Sequence, residues 1–252
     1  MVLTDRRLVA LGRADLRDPG ALIYVVAIVS ATVVGSILVA RQPENPAGWC
    51  FAGLGASMTL SGALDSYALI GAVADPGSLP YADVAAVLGD ASFIPWLVLV
   101  ALALHLTPTG RWLTPRWGRA ALGTVVAAVV WWVAKCLSGT PLDPPFTEVS
   151  NPLAVRQLAA AILGVRGVAG LLTGLGLLVA GASLLVRFRR ARGTERRQLR
   201  WLALVVIPLP VFVGLSFVGA STGRPLLVIV STSGFVALIP IAAGFAIGRY
   251  HL

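Results

Sequence analysis

The chain has 252 residues, of which 57% are hydrophobic and only 12% are charged, and its mean hydropathy is +0.86. Soluble domains carry about 25% charged residues, so this chain has too little polar surface to cover a water-soluble globule of its size. The net charge of +9 would suggest nucleic-acid binding in a soluble protein, but arginines in short loops beside apolar stretches are typical of membrane topology. Composition therefore predicts an all-α integral membrane protein that binds no nucleic acid.

Seven apolar stretches are each long enough to cross a bilayer, whose hydrocarbon core of about 30 Å takes about 20 helical residues. Only helices satisfy their own backbone in lipid within one segment. In chain order, and after an N-terminal tail at 1–20, the predicted spans cover 21–40, 47–70, 84–106, 119–137, 160–186, 201–220 and 225–248. The sequence thus predicts a single membrane domain, 1–252, built as a bundle of about seven transmembrane helices.

Four prolines lie in the interior of these spans, namely Pro95, Pro208, Pro210 and Pro240. Proline removes a backbone donor from a helix, but in a membrane bundle the neighbouring helices can satisfy the carbonyl that this frees. We therefore expect these prolines to kink their helices and not to end them.

A basic loop predicted at 187–200 sets the orientation. It contains Arg187, Arg189, Arg190, Arg192, Arg196, Arg197 and Arg200. Short arginine-rich loops stay on the cytoplasmic side, and alternation then also places 41–46, 107–118 and the C-terminus inside. The N-terminal tail does not fit this charge pattern, since its arginines would lie outside. It has no signal-peptide pattern, so it is expected to be retained. The prediction is a multi-pass plasma-membrane (inner-membrane) protein with the N-terminus out and the C-terminus in.

Four charged residues fall within the predicted spans at similar depth near their outer ends: Asp65, Asp90, Lys135 and Arg166. Charges inside a bilayer are costly, so each of them needs a partner or a role. Aromatic residues lie at nearby depth: Tyr67, Phe93, Trp96, Trp131 and Trp132. Structural pairing between helices is the favoured interpretation. The alternative is an outward-opening ligand pocket with a polar floor and aromatic walls.

The sequence carries no recognisable catalytic motif. Cys50 and Cys136 are expected at opposite faces of the membrane, so no disulfide between them is predicted. His105 and His251 have no neighbouring set of metal ligands. Neither a metalloprotease HExxH motif nor a phosphate-binding GxxxxGK[ST] loop occurs. We predict a protein that is not an enzyme and uses no cofactor or metal.

Several short stretches in the loops, taken in order, resemble a known family. They are RQPENPAGW at 41–49, LTPTGRWLTPRW at 106–117, RARGTERRQLRW at 190–201 and the ending IGRYHL at 247–252. This ordered set resembles the N-terminal membrane sensor region of actinobacterial two-component histidine kinases. The resemblance covers nearly all of the chain. It implies a membrane-embedded signal-input module that passes a signal to a cytoplasmic kinase or response-regulator pathway.

One departure from the family limits what the resemblance implies. Such kinases continue into a phosphoacceptor helix pair and an ATP-binding domain, whereas this chain stops at Leu252 and contains no glycine-rich ATP lid. We therefore expect a sensor module without catalytic domains that does not phosphorylate itself. The alternatives are a small transporter or channel gated by the charged layer, and a scaffold for another membrane protein. The absence of a clear internal repeat disfavours transport.

Two further partners follow from the residues. Arginines beside the inner ends of the spans are expected to bind anionic inner-leaflet lipid, at about 1 kcal/mol each. Stripes of small residues, such as the GxxxG pattern at 170–174, let helix backbones approach closely in lipid. Packing within the chain is the favoured use of these stripes, and a homodimer is the alternative.

Overall fold

The structure, a computed structural model, describes residues 2–13, 16, 21–191 and 207–224, with a few isolated positions between 227 and 238. Its main helices are α1 (Val2–Ala10), α2 (Ala21–Arg41), α3 (Pro46–Ala68), α4 (Ala82–Ala91), α5 (Phe93–Leu106), α6 (Pro115–Cys136), α7 (Ala159–Arg190) and α8 (Leu209–Ser221). A π-helix, Leu69–Ala74, extends α3. Within the described residues there is no strand, so the predicted all-helical class is confirmed.

Four helical segments of the described chain are long and apolar enough to cross a membrane, which is fewer than the seven predicted. They are Tyr24–Arg41, Ala82–Leu106, Pro115–Cys136 and Arg156–Arg190. The predicted second span does form a helix of sufficient length, α3 with 23 residues, but its glycines, serines and Asp65 make it less apolar than these four. The predicted sixth and seventh spans lie partly or largely outside the described residues.

The predicted kinks at Pro208 and Pro210 are wrong, because both residues lie at the start of α8, whereas the helical segment that contains Pro95, Ala82–Leu106, is interrupted at one residue and continues. The third predicted span is two helices, α4 and α5, separated at Ser92. Pro95 occupies the first turn of α5, where a residue without an N–H is tolerated because that donor has no partner in the helix. The Ser92 hydroxyl donates to the carbonyl of Gly89 at 2.5 Å, which satisfies a carbonyl at the end of α4. Likewise, Pro208 precedes the first residue of α8 and does not interrupt a helix; Pro240 lies outside the described residues.

The long helix α7 runs to Arg190, four residues beyond its predicted end. The prediction that Arg187, Arg189 and Arg190 belong to a loop is therefore wrong. The other arginines of the predicted basic loop, at positions 192, 196, 197 and 200, lie outside the described residues. The helical periodicity explains the extension, because Ala180, Leu184 and Arg187 are three and four residues apart and are all buried.

The bundle packs around a core shared by α2, α3, α5 and α7, with Phe51, Leu54 and Leu104 among its most buried side chains. The backbones of α2 and α3 lie very close, since a methyl group added at Gly35 would overlap the backbone of Ala52. Small residues permit this approach and the dispersion contacts that come with it. Gly170 of the GxxxG pattern faces the indole of Trp131 on α6, which is packing within the chain.

The loops gather at two ends of the bundle. At one end, Arg13 donates to the carbonyl of Val73 at 3.3 Å, which places the N-terminal segment beside the π-helix and near the 137–158 connection. At the opposite end lie the α2–α3 turn, the α5–α6 connection and the last turn of α7. Following the predicted topology, we call these the outer end and the inner end.

Candidate functional site

A buried ion pair joins α4 to α6 at the outer end. Asp90 is the penultimate residue of α4 and Lys135 the penultimate residue of α6. Lys135 Nζ lies 2.8 Å from Asp90 Oδ2, and both side chains are only 6% exposed. The Phe93 ring lies 5.5 Å from the same ammonium, within the range of a cation–π contact. Each charge compensates the burial of the other, so losing either one would leave an uncompensated buried charge.

A third charged residue, Asp143, reaches this pair from the α6–α7 connection. Its Oδ2 lies 3.2 Å from Lys135 Nζ, and its side chain is 74% exposed. Its backbone N–H donates to Asp90 Oδ1 at 3.2 Å. Burial acts to raise the pKa of Asp143, but the positive charge of Lys135, aided by hydrogen bonding and by Arg166, brings it below its usual value. No sequence pattern marks Asp143 as a member of this site, because it lies in a loop and not in an apolar span.

Two buried apolar side chains pack the segment 137–155, which we call the outer loop, against α4. Leu142 and Phe146 are 5% and 6% exposed and pack in a second core with small residues of α4. Trp132 of α6 packs against the same core. Burying side chains of this size stabilises by about 1.5–3 kcal/mol each. The outer loop is therefore a cap over the Asp90–Lys135 pair.

Hydrogen bonds join the two ends of the outer loop. The Asn151 amide donates to the carbonyls of Cys136 and Ser138 at 2.9 and 2.7 Å. The N–H of Val155 donates to the carbonyl of Leu137 at 3.1 Å. These bonds satisfy carbonyls at the end of α6 that have no partner within the helix. The two ends of the loop are therefore bonded to each other, separately from the contacts that the loop makes with α4.

The other two predicted members of the charged cluster, Arg166 and Asp65, contact the outer loop and α4 respectively. Arg166 of α7 donates to the Thr140 hydroxyl of the outer loop at 2.9 Å. Asp65 of α3 lies beside Gly89 of α4, where an added methyl group would overlap its carboxylate. The structure thus brings Asp90 and Lys135 of the predicted cluster into direct contact, while Arg166 touches the loop that caps them.

The predicted aromatic residues do not form a single pocket wall. Phe93 and Trp131 meet edge to face, with ring centroids 5.4 Å apart, beside Lys135. Trp96 is buried in the main core, and the Tyr67 hydroxyl donates to the carbonyl of Pro80 at 2.9 Å. Phe93 and Trp131 are therefore the predicted aromatics that adjoin the charged pair directly.

A second polar arrangement, at the inner end, is centred on Arg187. This side chain is 6% exposed, and it donates to the Thr109 hydroxyl at 2.9 Å and to the carbonyl of His105 at 2.7 Å. It also donates to the carbonyl of Arg111. A planar guanidinium can serve several acceptors at once, which an ammonium matches poorly. We call this arrangement the Arg187 clasp; it ties the end of α7 to the α5–α6 connection.

The α2–α3 turn joins the same assembly. The Asn45 side chain accepts from the N–H of Ala47 at 3.0 Å and donates to the carbonyl of Pro108 at 3.1 Å. Gly110 has φ +69, and a methyl group there would approach Asn45 Oδ1 to 2.7 Å. Two of the family-like stretches, 41–49 and 106–117, therefore meet at the inner end. Their asparagine and glycine have structural roles there.

Comparisons with models of protein families, with curated proteins and with solved structures found no match for this chain. The resemblance to kinase sensor regions thus remains a prediction from the loop motifs. Among the described residues, no group of His, Cys, Asp and Glu side chains is placed to hold a metal ion. Chemically, the outer arrangement is a buried ion pair with one further ionic contact to an exposed carboxylate, covered by the outer loop.

Proposed function

We propose that the protein is a multi-pass membrane sensor module whose input is the outer loop and whose output is the inner end of α7. The observation that carries this proposal is the continuity of α7. One uninterrupted helix bears Arg166, which contacts the outer loop, and Arg187, which forms the inner clasp. The two arginines are 21 residues apart, or about 31 Å at 1.5 Å per residue, so α7 can transmit a displacement from one end to the other.

The difference in charge between the two ends of the bundle supports the proposed membrane orientation. In the described loops and helix ends, the inner end carries Arg41, Arg111, Arg116, Arg119, Arg187, Arg189 and Arg190 against the single acid Glu44. The described outer end carries Asp5, Asp75, Asp83, Asp143 and Glu148 against Arg6, Arg7, Arg13, Arg156 and Arg224. Basic residues favour the cytoplasmic side. The proposal therefore places α1 and the outer loop outside the plasma membrane, and the C-terminus inside, in a bundle of about seven spans.

The contacts of the outer loop suggest how a signal would enter. A ligand or partner that draws Asp143 away from Lys135 also moves Thr140, three residues earlier, and so acts on Arg166 of α7. The Arg187 clasp at the far end of α7 would pass the change to the α5–α6 connection. Two switch elements on one rigid helix are the physical basis for coupling between distant sites. The cytoplasmic partner implied by the sequence motifs is a kinase or response-regulator pathway.

Coupling between the ends can be measured with one thiol. Cys50 and Cys136 are replaced with serine, and a cysteine is introduced at Leu113 in the α5–α6 connection. We expect Lys135→Met at the outer end to change the maleimide labelling rate at position 113 several-fold. Glu148→Gln, an exposed position on the same loop, should leave that rate unchanged. An unaltered rate at 113 in a Lys135→Met variant whose outer loop has demonstrably opened would contradict the sensor proposal.

Solute flux through reconstituted vesicles would favour the transporter alternative.

The membrane orientation has its own test. A cysteine at Ser150, exposed on the outer loop, should react with an impermeant probe added to intact cells. A cysteine at Thr194, outside the described residues, should react only after the cells are opened. The reverse pattern would contradict the proposed topology.

A further inference from the structure

The buried ammonium of Lys135 can donate to one more oxygen than the described residues provide. It carries three N–H donors, and its side chain is 6% exposed. Asp90 Oδ2 lies 2.8 Å from Nζ, and Asp143 Oδ2 lies 3.2 Å from it. The described residues place no third oxygen within hydrogen-bond distance, and the Phe93 ring lies 5.5 Å away. Because buried polar groups nearly always find a partner, a carboxylate that used both of its oxygens would satisfy this ammonium more fully.

Arg166 is a second cation beside the same position, and its partner is neutral. It is half-buried on α7 and donates to the Thr140 hydroxyl at 2.9 Å. Within the described chain it forms no ion pair, although its positive charge acts on Asp143. A guanidinium can bind a carboxylate bidentately. Lys135 and Arg166 are therefore two cations near Asp143 whose donors the described residues do not fully occupy.

The contact of Asp143 with Lys135 is open to water. The Asp143 side chain is 74% exposed, and an exposed ion pair contributes little to stability. By contrast, the Asp90–Lys135 pair is almost fully buried. If Asp143 turned into solvent, Lys135, Asp90 and Arg166 would remain, with one net positive charge. A partly buried site of this charge attracts an anion that carries a single negative charge.

Aromatic rings adjoin this position. The Phe93 ring, which lies against the Lys135 ammonium, meets the Trp131 ring edge to face, with centroids 5.4 Å apart. Both aromatic side chains are half-buried, so part of each remains accessible. Ligand sites combine apolar walls with a few polar groups that fix the orientation of the ligand. A ligand whose carboxylate bound Lys135 would therefore have aromatic rings within reach of its apolar part.

We infer that the outer end binds a small organic monocarboxylate, whose carboxylate takes the position of Asp143 beside Lys135 and Arg166. The apolar part of the ligand lies against Phe93 and Trp131. Asp143 is then an intramolecular competitor that occupies the position until the ligand binds. One negative charge replaces another, so the net charge of the site is unchanged by the exchange. This inference rests on the proposed function, because it names the chemical class of ligand that would draw Asp143 away from Lys135.

The test uses the full chain in phosphatidylcholine nanodiscs, with benzoate as the probe and benzamide as its neutral counterpart. Ligand-observed NMR titration gives the dissociation constants, and we expect benzoate to bind far more tightly than benzamide. Asp143→Asn removes the competitor, so it should tighten benzoate binding about two- to fivefold, the range that a weak exposed ion pair allows. Glu148→Gln is the matched control, because it removes a negative charge from an exposed position of the same loop. It should leave the dissociation constant unchanged.

Two further variants remove the cations of the site. Asp90→Leu/Lys135→Met replaces the buried ion pair with apolar side chains, which preserves packing, and it should abolish benzoate binding in a chain with a parent-like circular-dichroism spectrum. Arg166→Gln should weaken benzoate binding several-fold. Acetate, which has no apolar part to contact the rings, should bind the parent more weakly than benzoate does.

Several outcomes would overturn the inference. Benzoate that binds no more tightly than benzamide would exclude the site, and unchanged or weaker binding in Asp143→Asn would show that Asp143 does not compete. Inorganic phosphate that binds as tightly as benzoate would contradict the carboxylate class. Maleimide labelling of the Leu113→Cys variant separates the two proposals. Benzoate binding that leaves this labelling rate unchanged supports the site and contradicts the sensor proposal. A rate that responds to Lys135→Met in a chain that binds no benzoate contradicts the site alone.

Discussion

Replacing Lys135 with methionine should be among the most damaging single changes at the outer end. The substitution keeps the length of the side chain but removes the ammonium, and leaves the Asp90 carboxylate, 6% exposed, without its partner. Removing one member of a buried ion pair costs about 3–5 kcal/mol. By contrast, Asp143 is 74% exposed, and an exposed ion pair contributes about 0–1 kcal/mol. We therefore expect Lys135→Met to open the outer loop far more than Asp143→Asn does.

The chain provides a native reporter for this opening. Cys136 follows Lys135, is 6% exposed, and its carbonyl is held by Asn151 of the outer loop. In a Cys50→Ser background it is the remaining thiol. If labelling follows the population of open loop, a cost of about 3–5 kcal/mol raises the maleimide rate roughly 100- to 4,000-fold, since 1.4 kcal/mol is a factor of ten. Asp143→Asn should raise it about fivefold or less.

The double variant Asp90→Leu/Lys135→Met distinguishes charge from packing. Apolar residues often replace a buried ion pair without loss of stability, so this variant should label nearly as slowly as the parent. Glu148→Gln is the matched control on the same loop and should change nothing. If Lys135→Met labels no faster than Asp143→Asn, the buried pair does not hold the loop. If the double variant labels as fast as Lys135→Met, the loss comes from packing and the electrostatic reasoning is wrong.

Four other predictions concern separate features. Arg187→Lys should lower the free energy of unfolding by about 2–4 kcal/mol in a denaturant titration, because an ammonium cannot serve all the acceptors of the clasp; parent-like stability would contradict the clasp. Gly110→Ala should destabilise more than Gly77→Ala, because both positions have positive φ but only the methyl at Gly110 meets neighbouring atoms; equal losses would show that the contact with the α2–α3 turn is unimportant. The folded pKa of Asp143 lies below its ordinary 3.8, so the stability difference between the parent and Asp143→Asn should be constant from pH 8 to about 5 and shrink only below pH 4; a change near neutral pH would refute this. Finally, the purified chain should incorporate no phosphate from labelled ATP above a heat-denatured control, since no nucleotide-binding motif is present.

The sequence alone determined that the chain is helical and where most of its helices lie. Long apolar runs with almost no charge have one stable form in lipid, so α2, α6 and α7 follow from local composition. The apolar composition of the spans also identified Asp90 and Lys135, because a charged residue within an apolar run can be recognised without knowing which residue it pairs with. The ends of helices were less well determined. Pro208 precedes the start of α8 and Arg187 lies inside α7, although apolar content predicted otherwise.

Only the tertiary structure decided which of these groups meet. Asp143 joins the buried pair because the outer loop folds back onto α4, anchored by Leu142 and Phe146. Arg187 is buried because α7 packs against α5, which turns a basic helix end toward the loop carbonyls. Neither contact has a sequence signature, since Asp143 meets Asp90 across 53 positions and Arg187 meets His105 across 82, and these distances depend on how the helices pack. Composition fixes the free energy of placing each segment in lipid or water, whereas the pairing of charges depends on distances that only the packed bundle defines.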